Sequence, residues 1–380
     1  MKAGPLSGLE VVELAGLAST AFACTVLADL GAEIVRVDRV VPGHDVISFP
    51  DDPLTRGRRS IRVDTRTPDG IDLVLELADR ADVLVEGFRP GVAERMGIGP
   101  EVVHARNSRL VYGRLTGYGQ DGPLAQAAGH DINYIGISGA LEPIGHAGER
   151  PVVPLNLVGL FGGGGLLLAM GVLAALYERV SSGRGQVVDA SMVDGSAMLT
   201  TGLHGLLNSG FWPGGRGENI ADGGAPYYDT YKTADGRYVA IGAVETRFWH
   251  DLMKVLDLDP DRTPVHTDKS KWPRLREIVT EAVAKYTRDE LVARAEGTDA
   301  CLTPVLAPGE APAHPHNIAR GTFVDVGGVL LPAPAPRFGR TPAGTPEAVR
   351  PAGADTAAVL EELGVDAEEI ERLRAAGTIA

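Results

Sequence analysis

Of the nine histidines in the chain, His130 is the one set in a context that could move a proton. It lies in Gly129-His130-Asp131-Ile132-Asn133-Tyr134, just after the turn Gly119-Gln120-Asp121-Gly122-Pro123. A histidine beside a carboxylate at the opening of a helix can act as general base while the neighbouring acid holds its tautomer. The alternative, a histidine that merely caps the helix or fills the loop, stands beside that reading. Glu245 follows a strand-like run in Ala243-Val244-Glu245-Thr246-Arg247, and by itself it is an ordinary carboxylate near a loop. The four glycines at 162–165 are expected to open a helix. Bare N-terminal amides there would suit a developing oxyanion, and close packing against a neighbouring backbone would need glycine equally. Ser19 and Ser191 lack the G-x-S-x-G setting of an acyl-serine nucleophile. Cys24 and Cys301 match no metal-ligand spacing, so no metal site is expected.

A second chemical signal is the distribution of charge. Residues 36–114 hold thirteen arginines, thirteen carboxylates and no lysine, so the whole net charge of −14 lies elsewhere in the chain. The planar fork of arginine matches phosphate oxygens. Arg56, Arg58 and Arg59, and the turn Phe88-Arg89-Pro90-Gly91, stand at expected strand–loop junctions, where an open α/β sheet binds ligands. A small phosphate-bearing ligand and a set of surface ion pairs are both compatible with this pattern.

The elements that must position these residues follow from length and pattern. At 380 residues, 44% hydrophobic and 23% charged, the chain is long enough for two cores. Short apolar runs (LEVVEL, EIVRVD, DVLVE, LVYGRL, QVVDA) alternate with helical patterns, which indicates βαβ units and a mainly parallel sheet. No G-x-G-x-x-G or P-loop occurs, which removes the main support for a nucleotide-cofactor site. The acidic balance argues against nucleic acid or an anionic membrane as partner, and two thiols suit a cytoplasmic protein. Residues 155–177 carry no charge, but glycines interrupt them, and the remaining apolar run has the length of a core helix rather than a membrane span. A smaller α+β unit begins at Ala225 and ends near Val305. A Pro/Gly-rich return linker and a helical tail with a capping box at Asp366 and Glu369 follow it.

Taken together, PLSGLEVVELAG, LADLGAEIVRVDR, VLVEGFRPGVAERMG, GRLTGYGQDGP, AGHDINYIGISG, SSGRGQVVDASMVDG and GGAPYYDTYKTADGRYVA resemble the family III CoA-transferases (CaiB/BaiF). Within that family they are most similar to the α-methylacyl-CoA racemases, and the likeness runs through nearly the whole chain. The resemblance implies an α/β fold with a large Rossmann-like, CoA-binding domain over residues 1–190 and a linker over 191–224. It also implies a small α+β domain over 225–306, a return linker over 307–351, and C-terminal helices over 352–380 packed on the large domain. An interlocked homodimer is implied as well, with the active site between one subunit's large domain and the other's small domain. CoA enters as part of an acyl thioester substrate and no resident cofactor is implied. Its contacts carry over onto Leu17, Arg39, Val63, Asp64, Thr65, Arg66, Gly87, Phe88, Arg89, Arg95, Gly129 and Tyr134. His130 corresponds to one catalytic base, and Glu245 to the glutamate that orients it from the other subunit.

One position departs from the family. Racemases use an aspartate just before the glycine-rich turn as their second acid, and here Asn156-Leu157-Val158-Gly159-Leu160 places Leu160 there. No carboxylate stands between Glu149 and Glu178, the region that also holds the nucleophilic aspartate of the transferases. The expectation is therefore a racemase or epimerase acting at the α-carbon of a 2-methylacyl-CoA, with Asp131 or a water in place of the missing acid. The alternatives are a one-base isomerase or lyase using His130, and a transferase-like or catalytically impaired protein that binds acyl thioesters.

Overall fold

The computed structural model describes residues 2–16, 18–41 and 52–380. The chain divides into two units, Met1–Ser138 with Leu155–Leu199 and Pro315–Ala380 in the first, and Gly139–Pro154 with Thr200–His314 in the second. The first unit begins with β1 (Glu10–Leu14), α1 (Ala18–Asp29), β2 (Glu33–Asp38), β3 (Arg58–Arg62), α2 (Pro68–Arg80), β4 (Val83–Glu86), α3 (Val92–Met96), α4 (Pro100–Arg106) and β5 (Val111–Thr116). It continues with α5 (Asp131–Ile137), α6 (Leu167–Ser182), β6 (Val187–Ser191) and α7 (Met192–Leu199). The second unit contributes α8 (Thr201–Ser209), β7 (Tyr228–Lys232), β8 (Tyr238–Gly242), α9 (Thr246–Val255), α10 (Trp272–Val283), α11 (Arg288–Ala295) and β9 (Leu302–Pro304). The chain then returns to the first unit with α12 (Pro315–Arg320), the hairpin β10 (Phe323–Val326) and β11 (Val329–Pro332), and the tail helices α13 (Thr356–Leu363) and α14 (Ala367–Ala375).

The six strands of the first unit form one parallel sheet in the order β3-β2-β1-β4-β5-β6. The mixed α/β architecture expected from the alternating runs is the one present. Both faces are covered, which is why these strands read as nearly continuous apolar runs. On one face Leu73, Val74 and Leu77 of α2 pack with Val359, Leu360, Ile370 and Leu373 of the tail helices. On the other, Ala23, Cys24 and Leu27 of α1 pack with Leu168, Ala169 and Val172 of α6. The chain steps outward from β1 to β3 and then crosses back to β4 on the other side of β1. The carboxyl ends of strands at such a reversal are the usual ligand position in open α/β sheets.

The glycine run departs from expectation. It does not open a helix, because residues Leu157–Leu166 are a π-helix that runs directly into α6. Its backbone enters through Leu155 and Asn156, both with positive φ (56° and 63°). The amides at 162–165 therefore lie inside a helix, and close packing is what requires glycine. A methyl on Gly163 would come 2.7 Å from the Ser196 nitrogen of α7, and one on Gly165 would come 2.8 Å from the Ser19 carbonyl of α1. A methyl on Gly195 of α7 would collide with the Gly163 carbonyl. The continuous helix Leu157–Ser182 is long and apolar enough to cross a bilayer; here Leu168, Ala169, Val172 and Ala175 are buried in the first unit's core.

In the second unit β7, β8 and β9 form an antiparallel sheet, backed by α9, α10 and α11. Trp249, Leu252, Trp272, Leu275 and Val279 fill its core beside Tyr227 and Val239.

Candidate active site

Most of the residues expected to meet the substrate gather along one edge of the first unit's sheet, because parallel strands deliver their following loops to the same side. Arg39 follows β2, the loop from Val63 to Arg66 follows β3, and the turn holding Gly87, Phe88 and Arg89 follows β4. Arg95 lies on α3, immediately beyond that turn, and His130 closes the long loop after β5. Leu17 lies outside the described residues. Glu245 is placed in the second unit, exposed at the N-cap of α9, where its carbonyl accepts the Trp249 N–H (3.0 Å).

The structure sorts the arginines of the neutral zone into two groups. Arg36 and Arg58 share the buried Glu13, at 2.7 and 2.9 Å. Arg56 pairs with Asp29, Arg59 with Glu362 and Arg106 with Asp79. Arg66 is bidentate on Asp64 (2.8 Å for each bond), which holds that carboxyl below its ordinary range. Arg39, Arg89 and Arg95 are exposed and form no ion pair among the described residues. Three of the four arginines expected to contact CoA are thus uncommitted. Val63, by contrast, sends its side chain into the core (1% exposed), and its backbone bridges Ile379 of the tail. Thr65 and Phe88 are half-buried.

The turn after β4 is held from beneath. Glu86 is fully buried, its Oε2 accepts the Phe88 N–H (2.6 Å), and its Oε1 accepts Nε of Arg114 on β5 (2.7 Å). Burial pushes the Glu86 carboxyl above its usual range, opposed by those two donors. The remaining Arg114 nitrogens grip both oxygens of Glu94 on α3 (2.7 and 3.2 Å), which lowers the Glu94 carboxyl. These three residues were not singled out from sequence. The available signal was a charge closing each of the apolar runs VLVE and VYGR, where a strand interior would not tolerate it unpaired.

His130 is exposed and caps α5. Asn133 fixes the cap from both sides, its Oδ1 accepting the His130 N–H (3.0 Å) and its N–H donating to the His130 carbonyl (2.8 Å). Tyr134 is buried, donates to the Gly129 carbonyl and packs edge-on against Tyr118 (4.9 Å between centroids). A methyl on Gly117 would collide with the Tyr134 ring, and one on Gly129 would approach it to 2.7 Å, so the glycines let this loop close on the ring. Burial also raises the Tyr134 phenol. Asp131 is 2% exposed. Its Oδ1 accepts the backbone N–H of Leu160 (2.5 Å), while its Oδ2 is enclosed with no partner among the described residues. A methyl on Gly159 would come 2.6 Å from that Oδ1, so glycine admits the carboxylate to the π-helix. His130 and the Leu160 segment are therefore brought together through Asp131.

The model of CoA-transferase family III matches residues 6–356. The chain belongs to this family. Its sequence is 46% identical over 371 residues to the α-methylacyl-CoA racemase of Mus musculus, covering 97% of this chain and 96% of that one. It is 44% identical over 375 residues to the human α-methylacyl-CoA racemase, with the same coverage. Among solved structures, a CAIB/BAIF family protein from Brucella suis superposes with a TM-score of 0.81 at 26% identity, covering 95% of this chain and 100% of that one. Membership of the family extends from the sheet-edge loops into the second unit, since the matched residues span both.

Proposed function

We propose that this protein is an α-methylacyl-CoA racemase-like isomerase that moves the α-proton of a 2-methylacyl-CoA thioester, with His130 as base. The observation that carries the reading is the edge of the parallel sheet, where uncommitted arginines stand on the same side as an exposed, backbone-fixed histidine. Its likeness to the two racemases over nearly the full chain supports it. Arg39, Arg89 and Arg95, with the backbone around Val63, Asp64, Thr65, Arg66, Gly87 and Phe88, would hold the CoA portion. The thioester would then lie along the loop from Gly129 to Tyr134, and CoA would be substrate rather than cofactor.

The chemistry asked of His130 is modest in kind. A thioester carbonyl acidifies its α-hydrogen, the imidazole removes that proton, and a planar enolate results. A positioned base of this sort supplies about 10²–10⁴-fold. Return of the proton to the face it left regenerates the starting isomer, and delivery to the opposite face inverts the centre. Glu245 of a partner subunit would orient His130 in a homodimer. The exposed apolar side chains of the 157–182 helix, Leu157, Leu166, Met170, Tyr177 and Val180, support such an assembly, since isolated copies would leave that stripe in water.

Leu160 favours a second reading, one-base chemistry on a single face. An alkyl side chain holds no transferable proton, and the neighbouring Asp131 carboxylate is enclosed and engaged with the backbone. Incubating (R)- and (S)-2-methylacyl-CoA in deuterated water separates the two. Exchange with inversion supports the racemase, and exchange with retention supports the one-base enzyme. Binding without exchange would sink both and leave an acyl-thioester-binding protein.

A further inference from the structure

Arg114 makes more directed contacts than a strand residue needs for packing. It spans two segments that are separate along the chain, the turn after β4 through Glu86 and helix α3 through Glu94. Arg89 lies one residue beyond the Phe88 amide that Glu86 holds, and Arg95 is the neighbour of Glu94 on α3. Between them the Pro90 carbonyl accepts Nε2 of Gln126 (3.1 Å), which ties the same turn to the loop leading to His130. Both Glu86 and Arg114 are buried. A buried ion pair is a poor source of net stability compared with apolar packing, which leaves geometry as what these contacts can serve.

We propose that Arg114 is a positioning residue for the phosphate-bearing end of the thioester, setting through Glu86 and Glu94 the spacing at which Arg89 and Arg95 meet the substrate. The inference rests on the reading that those two arginines face the CoA phosphates. Lysine cannot reproduce it, because a single ammonium cannot serve one oxygen of Glu86 and two of Glu94 in the plane that the guanidinium fork spans.

The test uses the full chain with free CoA, 2-methylacyl-CoA and the corresponding 2-methylacyl pantetheine thioester, which lacks the nucleotide phosphates. Glu94→Gln should raise Kd for CoA and KM for the CoA thioester by about threefold to tenfold, and Arg114→Lys by about tenfold or more. The exchange rate at saturation should stay within about twofold, and KM for the pantetheine thioester should not move. A purely structural role would shift both thioesters together, and that outcome would overturn the proposal. So would unchanged CoA binding in Glu94→Gln and Arg114→Lys while Arg89→Ala and Arg95→Ala weaken it. If Arg89→Ala and Arg95→Ala leave CoA binding unchanged, the phosphate-site reading itself falls and takes the inference with it. Should Arg114→Lys fail to fold, Glu94→Gln decides, since its side chain is half-exposed.

Discussion

The helix that starts at Asp131 and the helix that starts at Leu157 lie side by side in the first unit, where a hydrogen bond from the Leu160 N–H to Asp131 joins them, yet they are entered in different ways. The first is entered through an exposed histidine whose backbone is fixed by Asn133, leaving a titratable ring at the sheet edge. The second is entered through two residues of positive φ and is packed so closely on α1 and α7 that glycine is required along it. Its Leu160 packs against the core shared by α1 and α6, whereas His130 of the first is exposed. The difference teaches that neighbouring helix starts can be held by opposite means, one by a side-chain cap that leaves its ring in solvent, the other by glycine contacts that draw it into the core. The wide π-turns and the Asp131 contact still hold the Leu160 backbone in place.

The largest way to sharpen this contrast is His130→Ala. It should lower deuterium exchange at the α-carbon by about 10²–10⁴-fold with the fold unchanged by circular dichroism. Retained exchange would show that the titratable side of the comparison is elsewhere. Leu160→Asp puts an acid at the start of the second helix, and on the proposed racemase reading inversion should rise relative to retention by on the order of 10²-fold in a chiral assay. An unchanged ratio would mean that this helix start does not face the α-carbon at all. Gly195→Ala probes the packing that makes the second helix rigid. Its methyl meets the Gly163 carbonyl, so denaturant unfolding should register a loss of about 1–3 kcal/mol or more. Asp131→Asn should be the mildest change, within about 1 kcal/mol in stability and with most exchange retained, because an amide oxygen can still accept the Leu160 N–H. A loss as deep as that of His130→Ala would make the Asp131 carboxyl a proton carrier and erase the distinction between the two helices.

Much of this layout was legible in the sequence. The strands announced themselves as apolar runs, and His130 stood out by its neighbours. The order of the strands was not legible, since nothing local records that β4 crosses back beside β1. The glycine run reads as a helix opening from sequence because glycine serves an amide cradle and a backbone contact equally. Only the partners, Gly195 of α7 and Ser19 of α1, decide between them. The same limit applied to the arginines, whose count was visible while their division into buried pairs and free cations was not. Glu86, Arg114 and Glu94 escaped notice because their meaning arises from strand register, with Glu86 beside Arg114 across the ladder.

The outer edge of β3 carries a consequence for how the chain is made. Its backbone is covered by residues that come after the second unit: Asp355 accepts the Ser60 N–H (2.9 Å), and the Thr378 carbonyl accepts the Asp64 N–H (2.7 Å). While residues 200–314 are being synthesised, that edge therefore stands open, a bare strand able to pair with another copy. The arrangement makes tail docking a non-local closure of the sheet, joining Ser60 to Asp355, 295 residues away.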